Sequence, residues 1–360
     1  MTELVVGTRK GLFVLDGEPG GFSVGARAFA GESVEYGIRD PRSGRLFAAV
    51  TSPFYGPKLF FSDDAGGDWE QATGIALPEG GEHALNRIWV IAPGEEDGTL
   101  YAGGDPGVLF ESRDGGETWE LNRALWEEPT RSRWQPGGGG LCLHSIVTWP
   151  GEPQRLAIGI SAAGVWLTDD GGSSWRMGNE GLVARYLPDE VAEFVPEGPP
   201  DQIALCVHRV QRARRQPERM FLQFHGGVYR SDNAGESWSE IGDGLPSDFG
   251  FPLALDPADP DSAYVIPLTA DLDRVTPEGN VRVYETRDAG SSWTARGEGL
   301  PAEHSYLTIL REAFDSTGEG DGLELYFGAT SGEVFGSRDA GASWFTVSPR
   351  LAPVLSVSAP

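Results

Sequence analysis

Short β-prone runs recur along the chain, each followed by a polar octet that carries glycine and closes on tryptophan. The runs are Lys58-Leu59-Phe60-Phe61, Val108-Leu109-Phe110, Val165-Trp166-Leu167, Val228-Tyr229-Arg230, Val281 to Glu285 and Val334-Phe335. The octets are 62–69, 112–119, 168–175, 231–238, 286–293 and 337–344, and all read S/T-x-D/N-x-G-x-x-W. Their tryptophans are 50, 56, 63, 55 and 51 residues apart. A pattern repeated at that period predicts a repeat architecture in which each unit is one supersecondary element.

Each octet position has a physical task. The Ser/Thr hydroxyl and the carboxylate two residues on accept hydrogen bonds from the amides of a tight turn. The glycine takes a positive φ that other residues resist, and the tryptophan lays a large apolar surface over the turn. The octet therefore predicts a strand–turn–strand hairpin. In the fourth copy Asn233 replaces the aspartate, keeping the acceptor without its charge.

Between octets each unit repeats an inner strand, a Pro/Asp/Gly turn such as Asp40-Pro41-Arg42-Ser43-Gly44, a second strand and a short loop into the octet hairpin. Second strands are expected at 46–50, 100–103, 156–160, 220–224, 263–267 and 325–329. Four strands per unit is a propeller blade. Leu4 to Gly7 and Gly11 to Leu15 begin a seventh, degenerate unit, with Phe22 near the tryptophan position. It lacks an inner strand, which Val354 to Val357 can supply. The expectation is an all-β, single seven-bladed propeller over 1–360, with four-stranded antiparallel blades and the ring closed by the C-terminal strand.

The octets resemble the Asp-box (BNR) repeats of sialidases, the sortilin ectodomain, xyloglucan-cleaving glycosidases and a photosystem II assembly factor, and the whole chain looks like bacterial BNR-repeat proteins labelled sialidase-like or glycosyl hydrolase without demonstrated activity. The resemblance implies the propeller fold. It implies no chemistry at the octets, which lie away from the active site in those families. The Arg-Ile-Pro signature of sialidases is missing, and the context of Arg9, the nearest substitute, does not match, so a standard sialidase is not expected.

Twenty-eight basic against 54 acidic residues give a net charge of −26. That field repels nucleic acid and anionic membranes. No run reaches the ~20 apolar residues of a membrane helix, no secretory leader is evident, and two cysteines make no disulfide framework. A cytoplasmic protein is expected.

Successive loops of an antiparallel blade alternate between the two faces, so the face opposite the octets carries the second-to-third-strand loops and the blade connections. The connections 71–86, 121–141, 178–205, 240–250 and 296–305 are long, which marks that face as the functional one. All five histidines (His83, His144, His208, His225 and His304) fall there. Cys142-Leu143-His144 and Cys206-Val207-His208 are matching C-x-H pairs on neighbouring inner strands, with His225 close by. Imidazole and thiolate are ligands for a divalent ion such as zinc, iron or manganese, although buried cysteine and hydrogen-bonded histidine are also ordinary core residues.

Aligning the inner strands puts Glu35, Arg87, His144, His208, Phe251 and Tyr306 around the central mouth. Arg9 and Lys10 share that face, as do Arg131, Arg133 and Trp134 ahead of a glycine run, Gly137 to Gly140, expected to act as a flexible lid. The candidate catalytic residues are His144, His208, Tyr306 and Glu35; the candidate ligand-binding residues are Arg87, His225, Arg9, Phe251, His304 and Arg133; the candidate metal ligands are His144, His208 and His225. A basic and aromatic lining in an acidic chain suggests a small anionic or sugar-like ligand. A two-carboxylate hydrolase could instead draw on Glu35, Glu82, Asp105, Asp248 or Asp271. A protein-binding scaffold could use aromatics expected to be exposed in the loops of that face, Phe54, Tyr55, Trp126, Trp134, Tyr186 and Phe249.

Overall fold

The structure, a computed structural model, describes residues 1–80, 83–186 and 204–360. It is a seven-bladed β-propeller of four-stranded antiparallel sheets. Blade 1 pairs β1 (Thr2–Thr8), β2 (Gly11–Gly17) and β3 (Ser23–Ala28) with β28 (Val354–Ser358) in the order β28-β1-β2-β3. The C-terminal strand thus closes the ring, with Val6 opposite Val357.

The other blades run in chain order. Blade 2 holds β4 (Ser33–Arg39), β5 (Leu46–Ser52), β6 (Gly56–Ser62) and β7 (Glu70–Gln71), and blade 3 holds β8 (Arg87–Pro93), β9 (Leu100–Asp105), β10 (Val108–Ser112) and β11 (Glu120–Leu121). Blade 4 comprises β12 (Cys142–Trp149), β13 (Glu152–Ser161), β14 (Gly164–Thr168) and β15 (Arg176–Met177). In blade 5 the strands are β16 (Val207–Arg212), β17 (Met220–Phe224), β18 (Gly227–Ser231) and β19 (Ser239–Glu240). Blade 6 has β20 (Gly250–Leu255), β21 (Ala263–Pro267), β22 (Val283–Thr286) and β23 (Thr294–Arg296), and blade 7 has β24 (Phe314–Thr317), β25 (Glu324–Gly328), β26 (Val334–Ser337) and β27 (Phe345–Ser348).

Each blade is covered on both faces by its neighbours. Middle strands are therefore buried on both sides and read as continuous apolar runs instead of alternating ones. Every residue of β17 and of β21 is buried. The outer strands β7, β11, β15 and β19 have two residues each.

The six octets fold as one turn. In every copy the Ser/Thr hydroxyl donates to Oδ1 of the Asp/Asn at 2.7–2.9 Å. The same hydroxyl accepts the amide of the glycine four residues on at 2.8–3.0 Å. Positive φ is not confined to that glycine: Ala65, Ala234, Ala289 and Ala340, one residue earlier, also lie in the left-handed region. The tryptophan indoles follow two routes. Trp69, Trp119 and Trp344 donate to their own turn, whereas Trp238 and Trp293 reach Gly178 O and Ile241 O of the preceding blade.

A second stitch joins neighbouring blades, 2 to 3, 4 to 5 and 6 to 7. The amides of Trp119, Trp238 and Trp344 donate to the carbonyls of Thr73, Glu180 and Glu298. The residue after each carbonyl is a glycine at positive φ, Gly74, Gly181 or Gly299, and a Cβ there would lie 1.9–2.1 Å from the tryptophan carbonyl oxygen. Only glycine allows the blades to approach this closely.

Blade 7 departs from the expected layout. Tyr306 is not on an inner strand: residues 305–308 bond instead to the long β21–β22 loop, where Thr276 Oγ1 donates to Ser305 O and Thr308 Oγ1 to Arg274 O. The inner strand β24 begins only at Phe314.

Candidate functional site

The inner strands surround a central shaft. Blades 2 to 5 each carry a one-residue irregularity near the start of the inner strand, and the extra residues are Glu35, Trp89, His144 and His208. Bulges re-aim single side chains; here Glu35, Trp89 and His208 point into a cavity of about 160 Å3. Arg9 enters from the β1–β2 turn, His225 from the β17–β18 turn and Arg274 from the β21–β22 loop. These are second-to-third-strand connections, so the cavity opens on the face opposite the octets.

Six of the ten candidate catalytic and ligand-binding residues line this cavity: Glu35, Arg87, His208, His225, Phe251 and Arg9. Four do not. Tyr306 is 60% exposed outside it, His304 sits on an exposed loop at positive φ, and Arg133 is exposed outside the lining. His144 is wholly buried behind it. Its Nε2 lies 2.8 Å from Val207 O and its Nδ1 3.0 Å from Ser145 Oγ. With one nitrogen donating to a carbonyl and the other accepting from a hydroxyl, no lone pair is left for a metal. Glu82 lies outside the described residues; Asp248 and Asp271 are exposed, and Asp271 approaches His225 Nε2 at 3.6 Å.

Several lining residues had no clear sequence signal. In blade 7 the position expected for Tyr306 is taken by Arg311 and Glu312. Phe249, read as exposed, is buried and packs against His208 and His225 at 5.4 and 5.0 Å between ring centroids. Phe54 and Tyr55 are exposed as expected, at 85% and 77%. The glycine run forms a tight turn, with Gly140 N donating to Gly137 O. It roofs the cavity: a Cβ on Gly137, Gly138 or Gly139 would lie 3.3 Å from Cys206 Sγ, 3.2 Å from Arg274 Nη2 or 3.7 Å from Arg311 Nη1.

The electrostatics of the lining are unusual for a chain of charge −26. Four arginines from four blades (Arg9, Arg87, Arg274 and Arg311) face the cavity, and among the described residues none forms an ion pair. Arg87 and Arg311 lie 5.0 and 5.4 Å from the Trp89 ring. Arg87 Nε, Trp89 Nε1 and Arg311 Nε are buried without a hydrogen-bond partner. Three orphaned donors at one cavity are costly, since each loses its water without replacement.

Burial pushes His208 and His144 well below the usual histidine range, with Arg311 adding repulsion. His225 is also lowered, chiefly by burial. His208 Nδ1 lies 2.6 Å from Gly250 O; the neutral ring donates there, which leaves Nε2 with a lone pair. Burial raises the Cys206 thiol, and both cysteines are free.

At the foot of the cavity Glu312, 1% exposed, lies 3.5 Å from Arg209 Nη1, and neither carboxyl oxygen has a hydrogen-bond partner. Burial lifts this carboxyl from 4.5 to about 7, against the pull of Arg209 and Arg311. Arg209 lines a second cavity of about 340 Å3 beyond it in the shaft, so the Arg209–Glu312 pair divides the two. A larger groove of about 980 Å3 runs over octet residues such as Asp114 and Gly172 on the opposite face. There Arg113 is already paired with Glu111, and among the described residues no orphaned donor points into it.

No protein-family profile matches the chain. An oligoxyloglucan-reducing end-specific xyloglucanase of Emericella nidulans is 28% identical over 133 residues, which is 32% of this chain and 16% of that protein. Among solved structures, an ancestral GH74 enzyme superposes with a TM-score of 0.58 at 17% identity, covering 91% of this chain and 38% of the other. YCF48 from Cyanidioschyzon merolae gives 0.57 at 13% identity, covering 89% and 85%. YCF48 bound to D1 peptide gives 0.51 at 14%, covering 84% and 78%. The likeness is one of fold. The chain spans well under half the length of both the xyloglucanase and the ancestral GH74 enzyme. Among the described residues no helix is long and apolar enough to cross a membrane.

Proposed function

We propose that this propeller binds a small anionic ligand, a carboxylate or phosphate compound, in the cavity at the centre of the face opposite the octets. The observation that carries the reading is the convergence of Arg9, Arg87, Arg274 and Arg311 without ion-pair partners. An anion there would take up the orphaned Nε donors of Arg87 and Arg311. Each charge-assisted bond is worth about 1.5–3 kcal/mol. The cavity of about 160 Å3 is smaller than the ~300 Å3 at which drug-sized pockets begin. It suits one sugar acid or phosphate group, and Trp89, Phe249 and Phe251 give a sugar ring apolar faces.

The test is calorimetric titration with inorganic phosphate and with glucuronate. Saturable one-to-one binding of either, weakened at least about 10-fold by Arg311→Met or Arg87→Met, supports the reading. Absence of binding to both, or binding unchanged in both variants, overturns it.

One observation favours a second, catalytic reading. Glu312 holds its proton to about pH 7 and shares the cavity with Glu35, which accepts a 2.9 Å bond from Ser33 Oγ. Two carboxyls in contrasting environments on one cavity are the arrangement of an acid and its partner in glycoside hydrolysis. The xyloglucanase and GH74 relatives make acidic oligosaccharides and xyloglucan fragments the substrates to try. Turnover abolished by Glu312→Gln and by Glu35→Gln supports it; no turnover leaves a binding scaffold, the role suggested by the peptide-bound YCF48 neighbour.

A further inference from the structure

We infer that Cys206, His208 and His225 form a binding site for one zinc-class divalent ion at the wall of the central cavity. Cys206 Sγ and a ring nitrogen of each histidine lie within 4.8 Å of one another. One thiolate and two imidazoles are a donor set for zinc, which takes three protein ligands and keeps a fourth position open in its reactive sites.

The fold builds this set from a bulge and a hairpin. Val207 and Arg209 pair with the consecutive residues Phe224 and Gln223, so His208 is the extra residue of β16 and is turned towards the shaft. Across the hairpin His225 N donates to Cys206 O at 3.0 Å, which sets the two side by side. His208 Nδ1 is held by Gly250 O at 2.6 Å. This is the outer hydrogen bond that fixes a ligating tautomer and presents Nε2. Asp271, 3.6 Å from His225 Nε2, can do the same for the second ring.

Blade 4 supplies an internal comparison. It repeats the C-x-H pair and the bulge, with Cys142 and His144, and Leu143 and Ser145 pairing with Ile160 and Gly159. Its hairpin, however, carries Ser161 opposite Cys142 where blade 5 has His225 opposite Cys206, and both His144 nitrogens are occupied. One of the two matching motifs is thus completed by a third ligand, and the other is closed off. The open position of a bound ion would face Arg274 and Arg311 across the cavity, where an anionic ligand could complete the coordination.

Loading the site exchanges the Cys206 thiol proton for the metal, with no change of oxidation state. The experiment is a cobalt(II) titration, backed by zinc analysis, of protein purified without metal-affinity resin and treated with chelator. The expected result is one ion per chain and a thiolate-to-cobalt charge-transfer band. Cys206→Ser abolishes the band, His225→Gln weakens binding by at least about 10-fold, the cost of losing even an outer-shell partner, and Cys142→Ser leaves both unchanged. Absence of the band in the wild type, or its survival in Cys206→Ser, overturns the assignment. Should Cys206→Ser fail to fold, His225→Gln, a change in a half-buried turn, decides alone. Anion titration of the chelator-treated protein tests the binding reading separately, so either can fail without the other.

Discussion

Replacing Glu312 with glutamine should change how stability depends on pH, by an amount the structure fixes. In the folded chain burial holds this carboxyl at about 7, while its ordinary value is 4.5. Each pH unit of difference corresponds to 1.36 kcal/mol, so ionised Glu312 costs the folded state roughly 3 kcal/mol. The folded value lies above the unfolded one. The stability linked to the proton is therefore complete below pH 4.5 and is lost as pH rises through about 7. Glu312→Gln keeps the shape and removes the titration. Urea unfolding of both proteins between about pH 5 and pH 8, in buffer free of phosphate and polycarboxylates, isolates the effect, because the remaining titrations cancel in the difference. The wild type should lose roughly 2–3 kcal/mol relative to the variant across that window, the remainder of the effect lying below pH 5. Removing the guanidinium 3.5 Å away with Arg209→Gln should push the midpoint higher still. Parallel stability curves for wild type and Glu312→Gln would refute the reasoning.

Three further outcomes test the frame. Ser112→Ala strips the buried Gly116 amide of its 2.9 Å acceptor and should cost about 1–3 kcal/mol in urea unfolding, whereas Phe54→Ser at an 85% exposed position should change stability by less than about 0.5 kcal/mol. Gly74→Ala forces a Cβ to within 1.9 Å of Trp119 O at a positive φ and should cost at least about 2 kcal/mol, read as a lowered unfolding midpoint. Gly138→Val extends the roof of the cavity towards Arg274 Nη2, 3.2 Å from the added Cβ; it should weaken anion binding while leaving the unfolding midpoint near that of the wild type.

The octets made the fold legible because each carries its own turn chemistry in eight consecutive residues. The hydroxyl of Ser62, the carboxylate of Asp64 and the glycine at 66 are all local partners. The ring closure was readable from an accounting of strands, since blade 1 lacked one and Val354 to Val357 was left over. The cavity was only half legible. Glu35 and His208 could be placed by counting back from the following turns. Blade 7 could not, because residues 305–308 look like a strand and are held instead by Thr276 and Arg274, contacts about 30 residues distant in sequence. That misplacement gave Tyr306 a position that belongs to Arg311 and Glu312. Trp89 was missed because the alignment of blade 3 stopped at Arg87, two residues earlier, and both residues line the cavity. The C-x-H pairs looked equivalent in sequence; only the facing hairpins, Ser161 against His225, separate them.

The most direct test of the account is the affinity of chelator-treated protein for inorganic phosphate and glucuronate, measured by calorimetry on the wild type and on Arg311→Met. The account predicts one site per chain for at least one of the two anions, with affinity falling at least about 10-fold in the variant and with rising salt. No saturable binding of either anion, or equal affinity in the two proteins, would contradict it.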